Sequence, residues 1–189
     1  MKRIAIFASG SGTNAQNIIE HFKDKPDIEI SLVLSNKKDA KVLSRAKQFN
    51  VPTYTFDRTT FYESLDVPEM LSREKIDLIV LAGFLWLVPI NLIKAFPGRI
   101  INIHPALLPK YGGKGMYGMK VHEAVIESGD RESGITIHYV NEKYDDGAII
   151  FQAKCPIEES DTPEVLARKI HKLEYENFPM VIEKLLIQT

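Results

Sequence analysis

The chain contains a single cysteine, Cys155, among its 189 residues. One thiol allows neither a disulfide framework nor a cysteine-rich metal site, so the expected environment is a reducing compartment. No apolar run is long enough to span a membrane, and the first one, Met1 to Ala8, is also too short for a signal peptide. We therefore expect a cytoplasmic protein that has no membrane partner.

The sequence also lacks an excess of either charge, because 24 Lys and Arg residues face 25 Asp and Glu residues. A formal net charge of −1 argues against a generally basic surface, and no nucleic-acid partner is expected. Internal repeats, low-complexity linkers and long charge blocks are missing as well. The length and the 44% hydrophobic content predict one domain over residues 1–189. The protein is expected to be a monomer or a homodimer.

In the first half of the chain, apolar runs alternate with helical patterns, which is typical of a parallel sheet covered by helices. The predicted strands are Arg3–Ala8, Ile28–Leu34, Thr53–Thr55, Leu78–Leu81 and Ile100–Ile103. The predicted helices are Ala15–Lys23, Ala40–Phe49, Phe61–Glu74 and Asn91–Phe96. This order indicates an α/β fold with a Rossmann-like N-terminal half and a mostly parallel central sheet.

In the second half, the pattern changes to one that extends the sheet with antiparallel strands and ends in a long helix. The predicted elements are, in order, a helix at Val121–Glu127, strands at Gly134–Val140 and Ala148–Pro156, and a helix over much of Glu164–Leu186.

The end of the fifth predicted strand carries an amide and an imidazole two residues apart, Asn102 and His104. Residues i and i+2 of a strand project from the same face, so both side chains can reach one reacting atom. An amide donor beside a titratable ring suits acyl chemistry, in which oxygen charge develops and a proton moves. The alternative is that both side chains only bond local backbone groups at the strand end.

Two turns carry further polar motifs. Ser9–Asn14 follows the first strand and opens a helix, and its glycines let the backbone approach an anion closely. It is neither a Walker loop nor a complete dinucleotide fingerprint, and a plain strand-to-helix turn is the alternative. Asp145, in the turn before Gly147, could orient an imidazole and favour its cationic form, or could simply belong to a hairpin connection.

Three stretches, Ser9–Asn14, Asn102–Pro109 and His138–Gly147, together resemble the signature of the formyltransferases that use 10-formyltetrahydrofolate. Within this family, the chain is similar over nearly its full length to the enzymes of purine synthesis that formylate glycinamide ribonucleotide. The resemblance implies that 10-formyltetrahydrofolate is the formyl donor, that glycinamide ribonucleotide is the acceptor, and that no metal takes part.

The resemblance also implies roles for individual residues. Asn102 and His104 stabilise an oxyanion, while Asp145 moves a proton directly or through water. Binding of the acceptor's phosphate and ribose is assigned to Ser11, Gly12, Thr13, Asn14 and Glu174. The folate is assigned to Phe84, Leu85, Trp86, Leu87, Val88, Val140, Asn141, Glu142, Lys143 and Tyr144. Thr136 and His138 are candidates for orienting the catalytic side chains without contacting the substrates themselves.

The chain departs from its relatives at Trp86, where some carry Arg, at Asp146, where many carry Gly or Ala, and in a longer loop at Gly112–Gly118. Without the resemblance, Phe84–Val88 would equally suit a plain core helix, and Glu174 an ordinary solvated helix position. The alternative functions are hydrolysis of the folate donor, formylation of another amine, or noncatalytic nucleotide binding. The hydrolases and the tRNA-directed enzymes normally carry an additional domain, for which we expect no room here.

Overall fold

Strands and helices alternate along residues 1–187, the part of the chain that the computed structural model describes. The strands are β1 (Lys2–Phe7), β2 (Ile28–Ser35), β3 (Thr53–Thr55), β4 (Leu78–Leu81), β5 (Ile100–His104), β6 (Glu132–Tyr139) and β7 (Ile149–Pro156). The helices are α1 (Thr13–Phe22), α2 (Lys41–Gln48), α3 (Arg58–Tyr62), α4 (Asp66–Arg73), α5 (Ile90–Ala95), α6 (Met119–Ser128) and α7 (Pro163–Ile187). The predicted α/β class and long C-terminal helix are confirmed.

The described strands form a seven-stranded sheet in the order β3-β2-β1-β4-β5-β6-β7. β1 is parallel to β2 and β4, and β2 is parallel to β3, whereas β6 and β7 are antiparallel. The chain divides within β5 into two compact units, residues 1–101 and residues 102 onward. The single domain expected over residues 1–189 stays a prediction, and its last two residues lie outside the described part.

The first unit has the Rossmann-like pattern that the sequence predicts. β4 is buried along its whole length and β1 over its last four residues, as expected of parallel strands covered on both faces. Each covering helix has one apolar face. In α1 the buried residues are spaced three or four apart, at Ala15, Ile18, Ile19 and Phe22.

One element predicted in this unit is wrong, because the single helix expected over Phe61–Glu74 is divided into α3 and α4. Ser64 Oγ donates to the Thr60 carbonyl at 2.9 Å and accepts from the Asp66 N–H at 3.2 Å, so it ends one helix and starts the next. Pro68 has no N–H for the Ser64 carbonyl, which a continuous helix would require. In the first turn of a new helix, proline is tolerated.

The second unit is built on the predicted antiparallel pair of β6 and β7. Ile137 lies opposite Phe151, and the Tyr139 N–H donates to the Ala148 carbonyl at 2.9 Å, which closes the connecting loop. Gly134 is required for this close pairing, since a Cβ there would lie 2.0 Å from the Ala153 carbonyl oxygen. The hairpin therefore holds the loop of residues 140–148 in a defined place.

Helix α7 covers this hairpin and also packs against α6. Its fully buried side chains, Leu166, Ile170, Phe178 and Ile182, recur at multiples of four residues. None of the helices within residues 1–187 is both long and apolar enough to cross a membrane. The cytoplasmic location stays a prediction.

Two neighbouring substitutions on α7 test this packing. Phe178→Ala should lower the free energy of unfolding by about 3–5 kcal/mol, because it removes a fully buried ring and leaves a cavity. Met180→Ala should change it by less than about 0.5 kcal/mol, since Met180 is 58% exposed. Urea denaturation followed by circular dichroism measures both, and equal losses would contradict the assigned helix face.

Candidate active site

The end of β5 carries the first two candidate catalytic side chains. Asn102 is half-buried and His104 is only 3% exposed. The ring of His104 is fixed at Nε2, which donates to the Tyr111 carbonyl at 2.7 Å. Its other nitrogen, Nδ1, faces the carboxylate of Asp145. The strand thus presents an amide and an oriented imidazole within one short segment.

Asp145 lies between these two side chains, although it follows them by some forty residues. One carboxylate oxygen, Oδ1, is 3.5 Å from Asn102 Nδ2, and the other, Oδ2, is 3.5 Å from His104 Nδ1. The Gly113 N–H donates to Oδ2 at 3.0 Å. Asp145 adopts a left-handed backbone conformation with φ 52°. The structure therefore brings the three candidate catalytic residues together.

His138, a candidate organising residue, joins the same cluster directly. Its Nδ1 donates to the Tyr139 carbonyl at 2.8 Å, which leaves Nε2 to accept from Asn102 Nδ2 at 3.1 Å. Nε2 is also 3.6 Å from Asp145 Oδ1. His138 therefore orients the amide of Asn102, so that the Asn102 nitrogen faces the carboxylate.

Thr136, the other organising candidate, acts on the chain that follows His104. Its hydroxyl donates to the Ala106 carbonyl at 2.7 Å and accepts from the Leu108 N–H at 3.0 Å. Gln152 also donates to this hydroxyl, at 2.8 Å. Thr136 thus fixes the loop after β5 and does not touch the three candidate catalytic side chains through these bonds.

Burial and charge act against each other at this cluster. Burial lowers the pKa of His104, and the Asp145 charge and the Tyr111 carbonyl oppose this only in part. For Asp145, burial alone would raise the pKa. The nearby rings of His138 and His104 and the Gly113 N–H together outweigh that effect and hold the pKa of Asp145 below its usual value. Asp145 is therefore ionised near neutral pH.

The candidate phosphate loop lies in the first unit, at the start of α1. Gly12 has φ 74° and leads into the helix, and a Cβ there would lie 2.5 Å from Val42. No side chain of the described residues caps this helix start, and its first turn carries no acidic residue. The backbone N–H groups of Thr13 and Asn14 are thus placed where an anion is favoured. The side chain of Ser11 is exposed.

The five candidate folate residues of the first unit follow Gly83, which has φ 75°. Phe84 and Trp86 are not open pocket walls, because their rings pack with those of Phe7, Phe56, Phe61 and Tyr62. Leu85 is exposed, and the Leu87 carbonyl accepts from Tyr62 at 3.0 Å. Phe84 is buried and Trp86 is partly buried, but residues 84–88 do not form the core helix that was the alternative for this stretch.

The five candidate folate residues of the second unit, residues 140–144, form the exposed loop between β6 and β7. Asn141 shapes this loop, because its side chain accepts from the Lys143 N–H at 2.9 Å and donates to Asp146 at 3.2 Å. The left-handed residue is Asp145 and not Asp146. The aspartate at position 146 therefore needs no backbone freedom that glycine alone would supply.

Glu174 lies in α7 and is only 6% exposed, so the solvated-surface alternative for this residue is wrong. It follows Ile170 and precedes Phe178 in the buried stripe of the helix. That position, at four-residue spacing among apolar residues, is the sequence signal that could have revealed its burial.

Residues 2–182 match the formyl transferase family. The chain belongs to this family. Among relatives, the phosphoribosylglycinamide formyltransferase of Haemophilus influenzae is 43% identical, over 97% of this chain and 86% of the relative. The chloroplastic enzyme of that name from Arabidopsis thaliana is 42% identical over 97% of this chain, which spans 66% of its length. The crystal structure of phosphoribosylglycinamide formyltransferase from Bacillus halodurans has a TM-score of 0.87 at 42% identity, covering 98% and 95% of the two chains.

The predicted formyltransferase family and its enzymatic formyl transfer are thereby confirmed. Transfer of this kind needs a formyl donor as a second substrate beside a small-molecule acceptor. Three contacts of this formyltransferase were missed by sequence reasoning: the Tyr111 carbonyl, the Gly113 N–H, and Arg45, whose Nε donates to the Ser11 carbonyl at 2.8 Å. Two of them are backbone groups, which leave no signature in side-chain type.

A further buried histidine, His122 in α6, lies near this cluster and interacts electrostatically with His104. It is 3% exposed, and its Nδ1 has no hydrogen-bond partner among residues 1–187. Burial, with smaller contributions from His171 and His104, lowers the pKa of His122 from 6.5 to about 4. His122 is therefore neutral in the folded enzyme.

This burial predicts a pH dependence of folding. Between pH 6.5 and about 4, the unfolded chain binds a proton at His122 that the folded chain does not, so stability falls as the pH falls. His122→Leu should flatten this decline, by at most about 1.4 kcal/mol per pH unit. Val125→Ala, a non-titrating change in the same helix, should lower stability but keep the parental slope. Urea midpoints at several pH values measure this, and a parental slope in His122→Leu would contradict it.

Proposed function

We propose that this enzyme transfers the formyl group of 10-formyltetrahydrofolate to the amine of glycinamide ribonucleotide, giving formylglycinamide ribonucleotide and tetrahydrofolate in purine biosynthesis. The observation that carries this proposal is the cluster of Asn102, His104 and Asp145 around the end of β5. Its support is the likeness to relatives named phosphoribosylglycinamide formyltransferase. We further propose that the reaction takes place in the cytoplasm and needs no metal.

The reaction requires that oxygen charge be stabilised. The acceptor amine attacks the formyl carbon, a C–N bond forms, and the carbonyl electrons move onto oxygen. Asn102 has two N–H groups, of which one is held by His138 at 3.1 Å. The other has only the 3.5 Å approach to Asp145, too long for a strong bond. It is therefore available to the developing oxyanion, and the positive charge of a His104 ring protonated at Nδ1 is proposed as the second stabilising influence.

The reaction also requires two proton movements. The attacking nitrogen becomes positively charged and loses a proton, which Asp145 accepts directly or through a water molecule. The tetrahedral intermediate then collapses, the bond from carbon to N10 of the folate breaks, and N10 gains a proton as tetrahydrofolate leaves. An ionised Asp145 fits the first step, because its low pKa keeps a carboxylate present near neutral pH.

The substrate-holding residues are proposed separately for each unit. The N–H groups at the start of α1 suit the acceptor phosphate, with Ser11, Gly12, Thr13 and Asn14 as its contacts. In α7, Glu174 is proposed to accept from the ribose hydroxyls. For the folate, the packed rings of Phe84 and Trp86 leave the backbone of residues 84–88 to contact the pterin, and residues 140–144 form the second proposed contact.

Removal of either oxyanion donor tests the catalytic assignment. Asn102→Ala and His104→Ala should each lower kcat about 10²–10³-fold, because a fixed group that stabilises the developing charge is lost. His21→Ala, at the far end of α1, should retain parental turnover. The assay follows formylation of glycinamide ribonucleotide by 10-formyltetrahydrofolate, with circular dichroism to check folding. Folded variants with near-parental turnover would contradict the catalytic assignment. Release of formate in the absence of acceptor would indicate a hydrolase.

A charge placed at the start of α1 tests the phosphate assignment. Thr13→Asp should raise the KM for glycinamide ribonucleotide at least about tenfold, because the new carboxylate repels the phosphate. The same change should leave stability equal or increase it by about 0.3–1 kcal/mol, since an acidic residue suits a helix start. Thr13→Asn is the uncharged control. Steady-state kinetics and urea denaturation measure both effects, and equal KM values in the two variants would refute the phosphate site.

A further inference from the structure

Residues 111–113 hold both members of the His104–Asp145 pair. The Tyr111 carbonyl accepts from His104 Nε2 at 2.7 Å, and the Gly113 N–H donates to Asp145 Oδ2 at 3.0 Å. A small shift of this segment would therefore move the imidazole, the carboxylate or both. The geometry of the pair depends on whatever fixes these three residues.

The side chain of Tyr111 is the only one in this segment, because residues 112 and 113 are glycines. A side chain at position 112 would displace its neighbours, since a Cβ there would lie 2.5 Å from Leu108 Cδ2 and 3.3 Å from Asp145 Cβ. The Tyr111 backbone has φ 55°, a left-handed conformation that a side chain with a Cβ adopts only when its surroundings hold it there.

The phenol of Tyr111 supplies such a constraint at its far end. Tyr111 Oη lies 2.8 Å from Asp130 Oδ2 and 2.6 Å from Ser128 Oγ. Because a phenol has one proton and a carboxylate can only accept, that proton goes to Asp130. Lys110 donates to the same carboxylate at 2.9 Å and, with the phenol, holds the pKa of Asp130 below its usual value. The acceptor thus stays charged.

The acceptor of the Tyr111 hydrogen bond, Asp130, lies just after the end of α6. Ser128 is the last residue of the helix, and Gly129 follows it with φ 71°. The Asp130 N–H donates to Ser128 Oγ at 3.2 Å, which fixes the aspartate against the helix. The phenol is therefore tied to a helix end rather than to a mobile loop.

We propose that Tyr111 and Asp130 are positioning residues for catalysis: their side-chain hydrogen bond fixes the backbone segment that holds His104 and Asp145 in their reactive arrangement. Neither side chain touches the reacting atoms. The inference rests on the proposed function for its kinetic consequences, whereas its effect on the His104 ring is independent of turnover.

The test uses Tyr111→Phe, which removes one oxygen atom, and Asp130→Asn, which weakens the acceptor. Each should lower kcat about tenfold and leave both KM values within about twofold, because positioning and not binding is lost. The double variant should be no worse than either single one, since both changes break the same bond. Tyr54→Phe, on β3, is the matched control and should retain parental kinetics.

A second readout does not need turnover. Because the Tyr111 carbonyl bond raises the pKa of His104, loosening it should move the ¹⁵N NMR titration of the His104 ring to lower pH in both variants. Parental kcat and an unmoved titration in both variants would overturn the proposal, as would losses that multiply in the double variant. Absence of formyl transfer in the parental enzyme would refute the proposed function, while the titration would still decide the positioning role.

Discussion

The arrangement of the site depends on one carboxylate, that of Asp145, being held in a half-buried place. Removing a carboxylate from water is unfavourable unless hydrogen bonds and opposite charge replace the lost solvation. The Gly113 N–H donates to Asp145 Oδ2 at 3.0 Å, and Asn102 Nδ2 approaches Oδ1 at 3.5 Å, so N–H groups of the protein replace part of this solvation. The same contacts hold Asp145 against the end of β5. The hydrogen bonds that stabilise the charge of Asp145 therefore also determine where its carboxylate lies.

The hairpin of β6 and β7 makes this placement possible. Its pairing brings two backbone segments so close that Gly134 and Gly147 cannot be replaced without moving a carbonyl, at 2.0 Å in the first case and 1.7 Å in the second. The backbone of Gly147 lies against the Tyr139 carbonyl. Tyr139 directly precedes the candidate folate loop, which begins at Val140. The left-handed turn at Asp145 lies between these fixed points. The loop that carries the candidate catalytic and folate-binding residues is thus supported at both ends by regular structure.

The sequence predicted the pair of Asn102 and His104 for a physical reason, since strand periodicity alone places them on one face. Asp145 was different: nothing in the intervening residues brings it to β5, and only the family resemblance did so. The contacts of Tyr111 and Gly113 could not be predicted, because they come from the backbone. The error over Phe61–Glu74 had a local cause, for Pro68 removes one helical hydrogen bond where the apolar spacing still favours a helix.

The two nitrogens of His104 have different partners, and this difference bears on the proposed proton transfer. Nε2 donates to the Tyr111 carbonyl, so a neutral ring leaves the lone pair of Nδ1 facing the carboxylate of Asp145 at 3.5 Å. Burial lowers the pKa of His104 and favours the neutral ring, whereas the Asp145 charge and the Tyr111 carbonyl favour the protonated one. Uptake of a proton by Nδ1 would convert the contact with Asp145 into an ion pair. In the proposed reaction, a proton released by the attacking amine is therefore accepted between His104 and Asp145, beside the Asn102 amide that we propose as the oxyanion donor.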